Sequence, residues 1–301
     1  MNSTYNISPV DIPSSLLILK SICLGILVVL NILFNSVTLV VLRRMRELSP
    51  TTKVFLTSMT ASDIAILIHD LPIFVCTLVN RWPFGDNICA LTGYLSMASG
   101  LLYYLHLPVV NIDRFLAVSR PYRYPSLVTV PRARVIVVCL WCICFVVPLG
   151  IMPSTDFRYL DIYHICAAEM TLGEAISMAV ITISPIILAI VVFLRLFLVA
   201  RVHAAAIDAQ ERDVGNNDRS NDLERKTFTT FLIMTVCVTV CMTPQVFVYA
   251  ILSVRDEAPR NYWLVCFVQV LAFSNTIINN VVYYWRTATF RKAFKDLILN
   301  H

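Results

Sequence analysis

The chain has 301 residues, 58% of them hydrophobic and only 14% charged, and its mean hydropathy is +0.74. A composition this apolar excludes a soluble domain of this length and marks a membrane protein, for which the helix-length apolar runs below make all-α the expected class. The formal net charge is +5, and no nucleic-acid partner is expected.

A membrane-crossing helix needs about 20 mostly apolar residues. Residues 1–15 are instead polar at the start and carry the sequons Asn2-Ser3-Thr4 and Asn6-Ile7-Ser8, so Asn2 and Asn6 are expected to be glycosylated on the lumenal side. No basic start precedes an apolar stretch there, and the first helix is expected to serve as its own signal anchor. Apolar runs then follow near 16–42, 54–79, 88–118, 133–152, 172–201, 226–252 and 262–285. The connections are short and polar. The longest, 202–225, carries Gly215, Asn216, Asn217 and alternating charges, and reads as a solvated loop. After the last run, Phe290, Phe294, Leu297 and Ile298 recur at helical spacing against Arg291, Lys292 and Lys295, the pattern of an amphipathic helix lying on a membrane surface. One domain over 1–301 is expected: an extracellular tail at 1–15, a seven-helix bundle at 16–285, and a cytosolic amphipathic helix and tail at 286–301.

Basic residues near helix ends stay in the cytosol. With the N-terminus outside, the inner face receives Arg43, Arg44, Arg120, Arg123, Arg132, Lys226, Arg286 and Lys292 among others, and the outer face only Lys20, Arg81, Arg158, Arg255 and Arg260. The expected place is the plasma membrane, crossed several times, with the N-terminus extracellular. Eight of the ten cysteines lie within apolar runs and read as small buried hydrophobes. Cys89, at the outer start of the third run, and Cys166, in the loop before the fifth, lie on the oxidising side, where a disulfide is the expected state. No metal-ligand spacing and no nucleophile–base constellation emerges, so neither a metal centre nor an enzyme is expected.

"RWPFGDNIC" before the third run, "DRFLAVSRP" at its end, Trp141, Pro185, "CMTP" in the sixth run and "NNVVY…FRKAF" at the end resemble the rhodopsin-like family of G-protein-coupled receptors over nearly the whole chain. The resemblance implies that Arg114, beside Asp113, pairs in the resting bundle with Glu224 of "DLERKTF", and that the pair parts when the sixth helix, with Pro244, swings outward and a heterotrimeric G protein inserts. Without the resemblance, Arg114 reads as an interfacial anchor snorkelling to headgroups. Tyr122 matches a G-protein contact of the family and reads equally as an interfacial aromatic.

Asn35, Asp63, Asn275 and Asn279 interrupt apolar runs, and a shared polar core explains them. In the family such a core often holds sodium. Here Tyr103 stands where the family usually has serine, so its phenol is expected to take the ion's space and donate to Asp63, which argues against sodium. Further departures are Met242 for a tryptophan, Asn280 for a proline and Phe193 for a tyrosine, each at a position implicated in activation, as is Tyr283.

For the ligand, Ser96, followed by Met97, stands where amine receptors of the family carry an aspartate. Asp70, two turns outward of Asp63, either faces the upper cavity as an anchor for a cationic ligand or satisfies His69 beside it. Glu174, Ser177, Gln245, Tyr249 and Gln269 match pocket positions of the family and favour no ligand class. No lysine lies between Tyr262 and Trp285 to hold retinal. The implied function is a receptor for an extracellular ligand that activates a G protein. A receptor-shaped protein that does not signal, or that partners another receptor, is the alternative. A transporter is a third reading, without the inverted repeat that would support it.

Overall fold

The computed structural model describes residues 14–45, 48–120, 122–151, 156–161, 163–211, 218–254 and 262–299, with only the backbone considered from 201 to 232. The expected glycosylation sites Asn2 and Asn6 lie outside the described residues.

Ten helices and one hairpin follow in chain order among the described residues: α1 (Ser14–Arg44), α2 (Pro50–Ala65), α3 (Leu67–Val79), α4 (Asp86–Ser119), α5 (Tyr124–Leu127), α6 (Val130–Ile151), β1 (Phe157–Leu160), β2 (Ile165–Ala168), α7 (Leu172–Glu211), α8 (Asp218–Val254), α9 (Tyr262–Arg286) and α10 (Ala288–Leu299). Seven spans are long and apolar enough to cross a membrane, with α2 and α3 together forming the second. Leucine, isoleucine and valine side chains stay exposed along them, for example Ile18 and Ile26 on α1, Val138 and Val146 on α6, and Leu194 on α7. Such outward apolar faces suit hydrocarbon as the surrounding medium.

Local sequence explains several boundaries. Ser49 accepts the Thr52 N–H at 3.3 Å and Pro50 follows at the first helical position, so α2 starts capped. The chain pauses at Ile66, whose carbonyl accepts from both His69 N and Asp70 N, and then continues as α3 until Asn80 closes it in the left-handed conformation. Thr171 and Glu174 form a reciprocal cap on α7: the Thr171 N–H donates to Glu174 Oε2 at 2.7 Å, and the Glu174 N–H donates to Thr171 Oγ1 at 3.3 Å.

The segment expected as a loop at 202–225 is largely helical: α7 runs on to Glu211 and α8 begins at Asp218. Ala204, Ala205, Ala206, Ala209 and Glu211 are strong helix formers, and a charged segment attached to an existing helix extends it without a new nucleation cost.

Two strands absent from the sequence reading cap one end of the bundle. β1 and β2 pair antiparallel, with Tyr159 opposite Cys166, and Cys166 is bonded to Cys89 at the start of α4 with a Cα separation of 5.4 Å. Gly93 permits this approach. A Cβ there would lie 2.3 Å from the Phe157 ring. The turn residues Tyr163 and His164 are buried, and Lys20 of α1 donates to the Tyr163 carbonyl at 2.8 Å. At the opposite end, Val41, Phe55, Leu56, Val110, Met234 and Tyr283 form a core on which Phe290 of α10 packs. Phe290 stacks on Tyr283 at 6.2 Å, so α10 is held by its apolar face.

Candidate functional site: a cavity, a polar core and a buried ion pair along one axis

At the end of the bundle opposite the disulfide, Asp113 is 3% exposed. Its two carboxylate oxygens are both engaged. Arg114 Nε donates to Oδ2 at 3.0 Å and Arg114 Nη2 donates to the same oxygen, while the Tyr124 hydroxyl donates to Oδ1 at 2.6 Å. Arg114 Nη2 also donates to Thr52 Oγ1, and the Thr51 hydroxyl reaches Tyr124 at 2.9 Å. A buried carboxylate with a donor on each oxygen and a guanidinium beside it is a well-compensated charge. Thr51, Thr52 and Tyr124 were missed by sequence reading, because helix α2 and the single turn α5 reach this acid only in the folded bundle. Tyr122 is 99% exposed beside this cluster. Glu224 lies on α8 within the segment whose side chains are left undescribed.

Deeper in, α1, α2 and α9 share a network of amides. Asn31 Nδ2 donates to the Asp63 carbonyl at 2.9 Å, and Asn35 Nδ2 donates to Asn31 Oδ1 at 2.9 Å and to the Thr276 carbonyl at 3.1 Å. Asn280 then donates to Asn35 Oδ1 at 2.9 Å and accepts from the Thr38 hydroxyl at 2.6 Å. Asn280 therefore does more than omit a proline; it ties α9 to α1. Asn31 and Thr38 are additional members that sequence reading did not select.

Asp63 is 2% exposed, and Asn279 and Tyr103 are the side chains facing its carboxyl. Asn279 Nδ2 donates to the Tyr103 hydroxyl at 2.6 Å, which leaves the phenolic proton for the carboxyl. The buried atoms Asp63 Oδ1, Asn275 Oδ1 and Nδ2, Asn279 Oδ1 and the Tyr283 hydroxyl have no hydrogen-bond partner among the described residues, a set that suits ordered water. With a phenol between Asp63 and Asn279, the donor set is a poor fit for a sodium ion.

Toward the disulfide end lies a cavity of about 150 Å³ between α4, β2, α7 and α8. Ser96, Met97, Gln245, Tyr249 and Met242 line it; Asp70, Glu174, Ser177 and Gln269 are not among its lining residues. Their positions explain why. Asp70 accepts from His69 Nδ1 at 3.0 Å, and His69 sets its ring edge-on to Phe273 at 5.9 Å. Glu174 is in the α7 cap, and the Ser177 hydroxyl donates to the Gly173 carbonyl at 2.8 Å. Gln269 sits behind the wall, donating from Nε2 to the Tyr249 hydroxyl at 3.1 Å. Pro244, five residues before Tyr249, lies inside α8.

Two further polar bridges went unnoticed in sequence. The Trp141 indole N–H donates to Ser58 Oγ at 3.0 Å, and Ser58 lies 2.9 Å from His106 Nε2. Because His106 Nδ1 is 2.8 Å from the Leu102 carbonyl, the proton resides on Nδ1 and Nε2 accepts from Ser58. Asn111 Nδ2 donates to Thr235 Oγ1 at 3.2 Å, joining α4 to α8. Outside the spans, His164 Nε2 donates to Asn80 Oδ1 at 2.9 Å, and burial, aided by the Lys20 charge, lowers the His164 pKa to about 4.

Comparisons with known proteins agree with this arrangement. The chain is 22% identical to the alpha-1A adrenergic receptor of Rattus norvegicus over 99% of this chain and 71% of that one. It is 21% identical to the melatonin receptor type 1C of Gallus gallus, over 90% and 79%, and 21% identical to the [Phe13]-bombesin receptor of Bombina orientalis, over 94% and 76%. The crystal structure of squid rhodopsin shares the fold, with a TM-score of 0.81 at 14% identity over 96% of this chain and 87% of that one. The family model described as 7 transmembrane receptor (rhodopsin family) matches residues 34–283, and with the seven spans and the buried Asp113–Arg114 pair in place, the chain belongs to that family of G-protein-coupled receptors, multi-pass proteins of the plasma membrane.

Proposed function

We propose that this receptor binds an extracellular ligand in the cavity at the disulfide end and activates a heterotrimeric G protein at the Arg114 end, by outward movement of α8. The observation that carries the reading is the buried ion pair: Asp113 holds Arg114 with help from Thr52 and Tyr124, a charged group stored at a helix end where a partner protein can reach it. The distribution of Lys and Arg supports an extracellular N-terminus and a cytosolic Arg114. On this reading Glu224 of α8 attracts Arg114 in the resting bundle, and the Asn111–Thr235 bridge adds a second contact between α4 and α8 that outward movement breaks. A ligand acts by favouring the moved state over the resting one. The ligand's class does not follow from similarity, since an adrenergic, a melatonin and a bombesin receptor match at 21–22% identity.

The test is basal G-protein dissociation in cells, across the main G-protein classes at matched surface expression. Glu224→Ala removes an attraction belonging to the resting state and raises basal signal in at least one class; Arg114→Ala abolishes that rise. Silence of Glu224→Ala in every class refutes coupling through this latch and favours the non-signalling reading.

A further inference from the structure

The cavity's size and its described walls, which carry no charged side chain, narrow the chemistry that fits it. Its floor and sides are made of small residues, with Gly100, Ala175 and Ala179 leaving room, and of thioethers, with Met97, Met170, Met178 and Met242 facing that room. Among the described residues lining it, none is Asp, Glu, Lys, Arg or His. The acids nearest in sequence logic are occupied elsewhere: Asp70 is bonded to His69 and lies outside the lining, and Glu174 is bonded to Thr171 at the α7 start. A charged ligand group would therefore give up part of its water and meet no counter-charge among the described lining residues, at a cost that neutral groups do not meet. Of the polar lining residues, Ser96 and Tyr104 are on α4 and Thr182, on α7, already donates to the Met178 carbonyl, while Gln245 and Tyr249 stand one turn apart on α8 as a pair, with Tyr249 buttressed by Gln269.

Size narrows the class further. A cavity of about 150 Å³ compares with the roughly 150 Å³ apolar cavity that admits benzene in an engineered protein. Methionine sulfur favours aromatic rings approached near the edge, and its flexible chain adapts to a ring's outline. We infer that the ligand is a small uncharged molecule built on a single aromatic or similarly polarisable ring, bearing one hydrogen-bonding group that meets Gln245 and Tyr249. Ammonium and carboxylate groups fit these walls less well than neutral ones. The inference rests on the cavity being the ligand site of the receptor proposed above, and it names the chemistry of that site.

The test uses the full-length receptor in lipid nanodiscs and three probes of one shape: benzyl alcohol, benzylammonium and benzoate. Binding is read by saturation-transfer NMR, with empty nanodiscs subtracted to remove lipid partition. Benzyl alcohol is expected to bind at least tenfold tighter than either charged probe. Gly100→Leu fills the cavity from a position where an added Cβ meets nothing within 4 Å, and the variant is expected to fold and to lose benzyl alcohol binding. Ala179→Leu, filling from α7, serves as a second obstruction, with the apparent melting temperature as the folding control for both. Gln245→Leu is expected to weaken benzyl alcohol while sparing toluene. Equal or tighter binding of a charged probe overturns the inference. So does benzyl alcohol binding that survives both filled variants, or the absence of binding to the wild type. The Glu224→Ala signalling measurement keeps the two readings apart: selective probe binding in a receptor silent in every G-protein class refutes coupling and leaves the ligand class standing, whereas raised basal signal without probe binding does the reverse.

Discussion

Replacing Asn280 by alanine is the sharpest probe of the α1–α9 tie. The substitution removes the donor to Asn35 Oδ1 at 2.9 Å and the acceptor of the Thr38 hydroxyl at 2.6 Å, both interhelical, together with a bond to the Thr276 carbonyl of its own helix. Interhelical hydrogen bonds in membranes average about 0.6 kcal/mol and reach about 1.7 kcal/mol. Two of them predict a loss of about 1–3 kcal/mol, the upper part applying because Asn35, which is 0% exposed, has no water to replace the lost donor. The assay is thermal unfolding in detergent followed by a thiol-reactive dye, since Cys76, Cys144, Cys241 and Cys266 are free and buried. Unfolding of a multi-span protein is commonly irreversible, so midpoints are compared at one scan rate. Val281→Ala, whose side chain faces outward at 49% exposure, is the control and should barely move the midpoint. A double-mutant cycle with Thr38→Ala should return a coupling of at least about 0.5 kcal/mol, in the range of residues in direct contact. If Asn280→Ala melts with the wild type, or the cycle shows strict additivity, Asn280 does not tie the two helices.

Three other outcomes follow from the geometry. Ser58→Ala leaves the Trp141 N–H and His106 Nε2 unpaired within the spans and should cost about 1–3 kcal/mol, whereas Thr60→Ala, losing only a bond to the Leu56 carbonyl of its own helix, should change the same melting midpoint far less. Gly93→Val drives a side chain into the Phe157 ring, and overpacking of this kind costs about 1–3 kcal/mol; Phe157→Ala should rescue the double variant, while Gly100→Ala should be tolerated, as read by melting and by protease sensitivity of the hairpin. His164 titrates at about 4 when folded, below its ordinary 6.5. The unfolded chain therefore takes up the proton first as pH falls, and the stabilisation present above pH 6.5 is lost progressively toward pH 4. The midpoint should fall over that interval and the fall should shrink in His164→Gln; an equal fall in both forms would remove His164 as its source.

The sequence by itself determined the seven spans, since apolar runs of membrane length have few other uses, and it determined the Cys89–Cys166 pairing as an expectation later met by the disulfide. The amphipathic pattern of "FRKAF" likewise announced α10. Position along one helix is a local property, and a residue that violates it, as Asp63, Asn35 or Asp113 does inside an apolar run, is visible without coordinates. What a polar residue bonds to is decided only where helices meet. Asn280 read as a missing kink until α1 supplied Asn35 and Thr38; Glu174 read as a pocket group until its own backbone turn claimed it as a cap. Thr52 and Tyr124 carry no sequence mark, because hydroxyls are common near helix ends and their value here comes from a carboxylate 61 and 11 residues away. The hairpin escaped for a similar reason: its strands are four residues each, too short for a periodic signal, and they are held by a disulfide and a glycine on another helix. That no described lining residue is charged is tertiary too: Asp70 is on α3, whereas α4, β2, α7 and α8 supply the walls, and its carboxyl is bonded to His69.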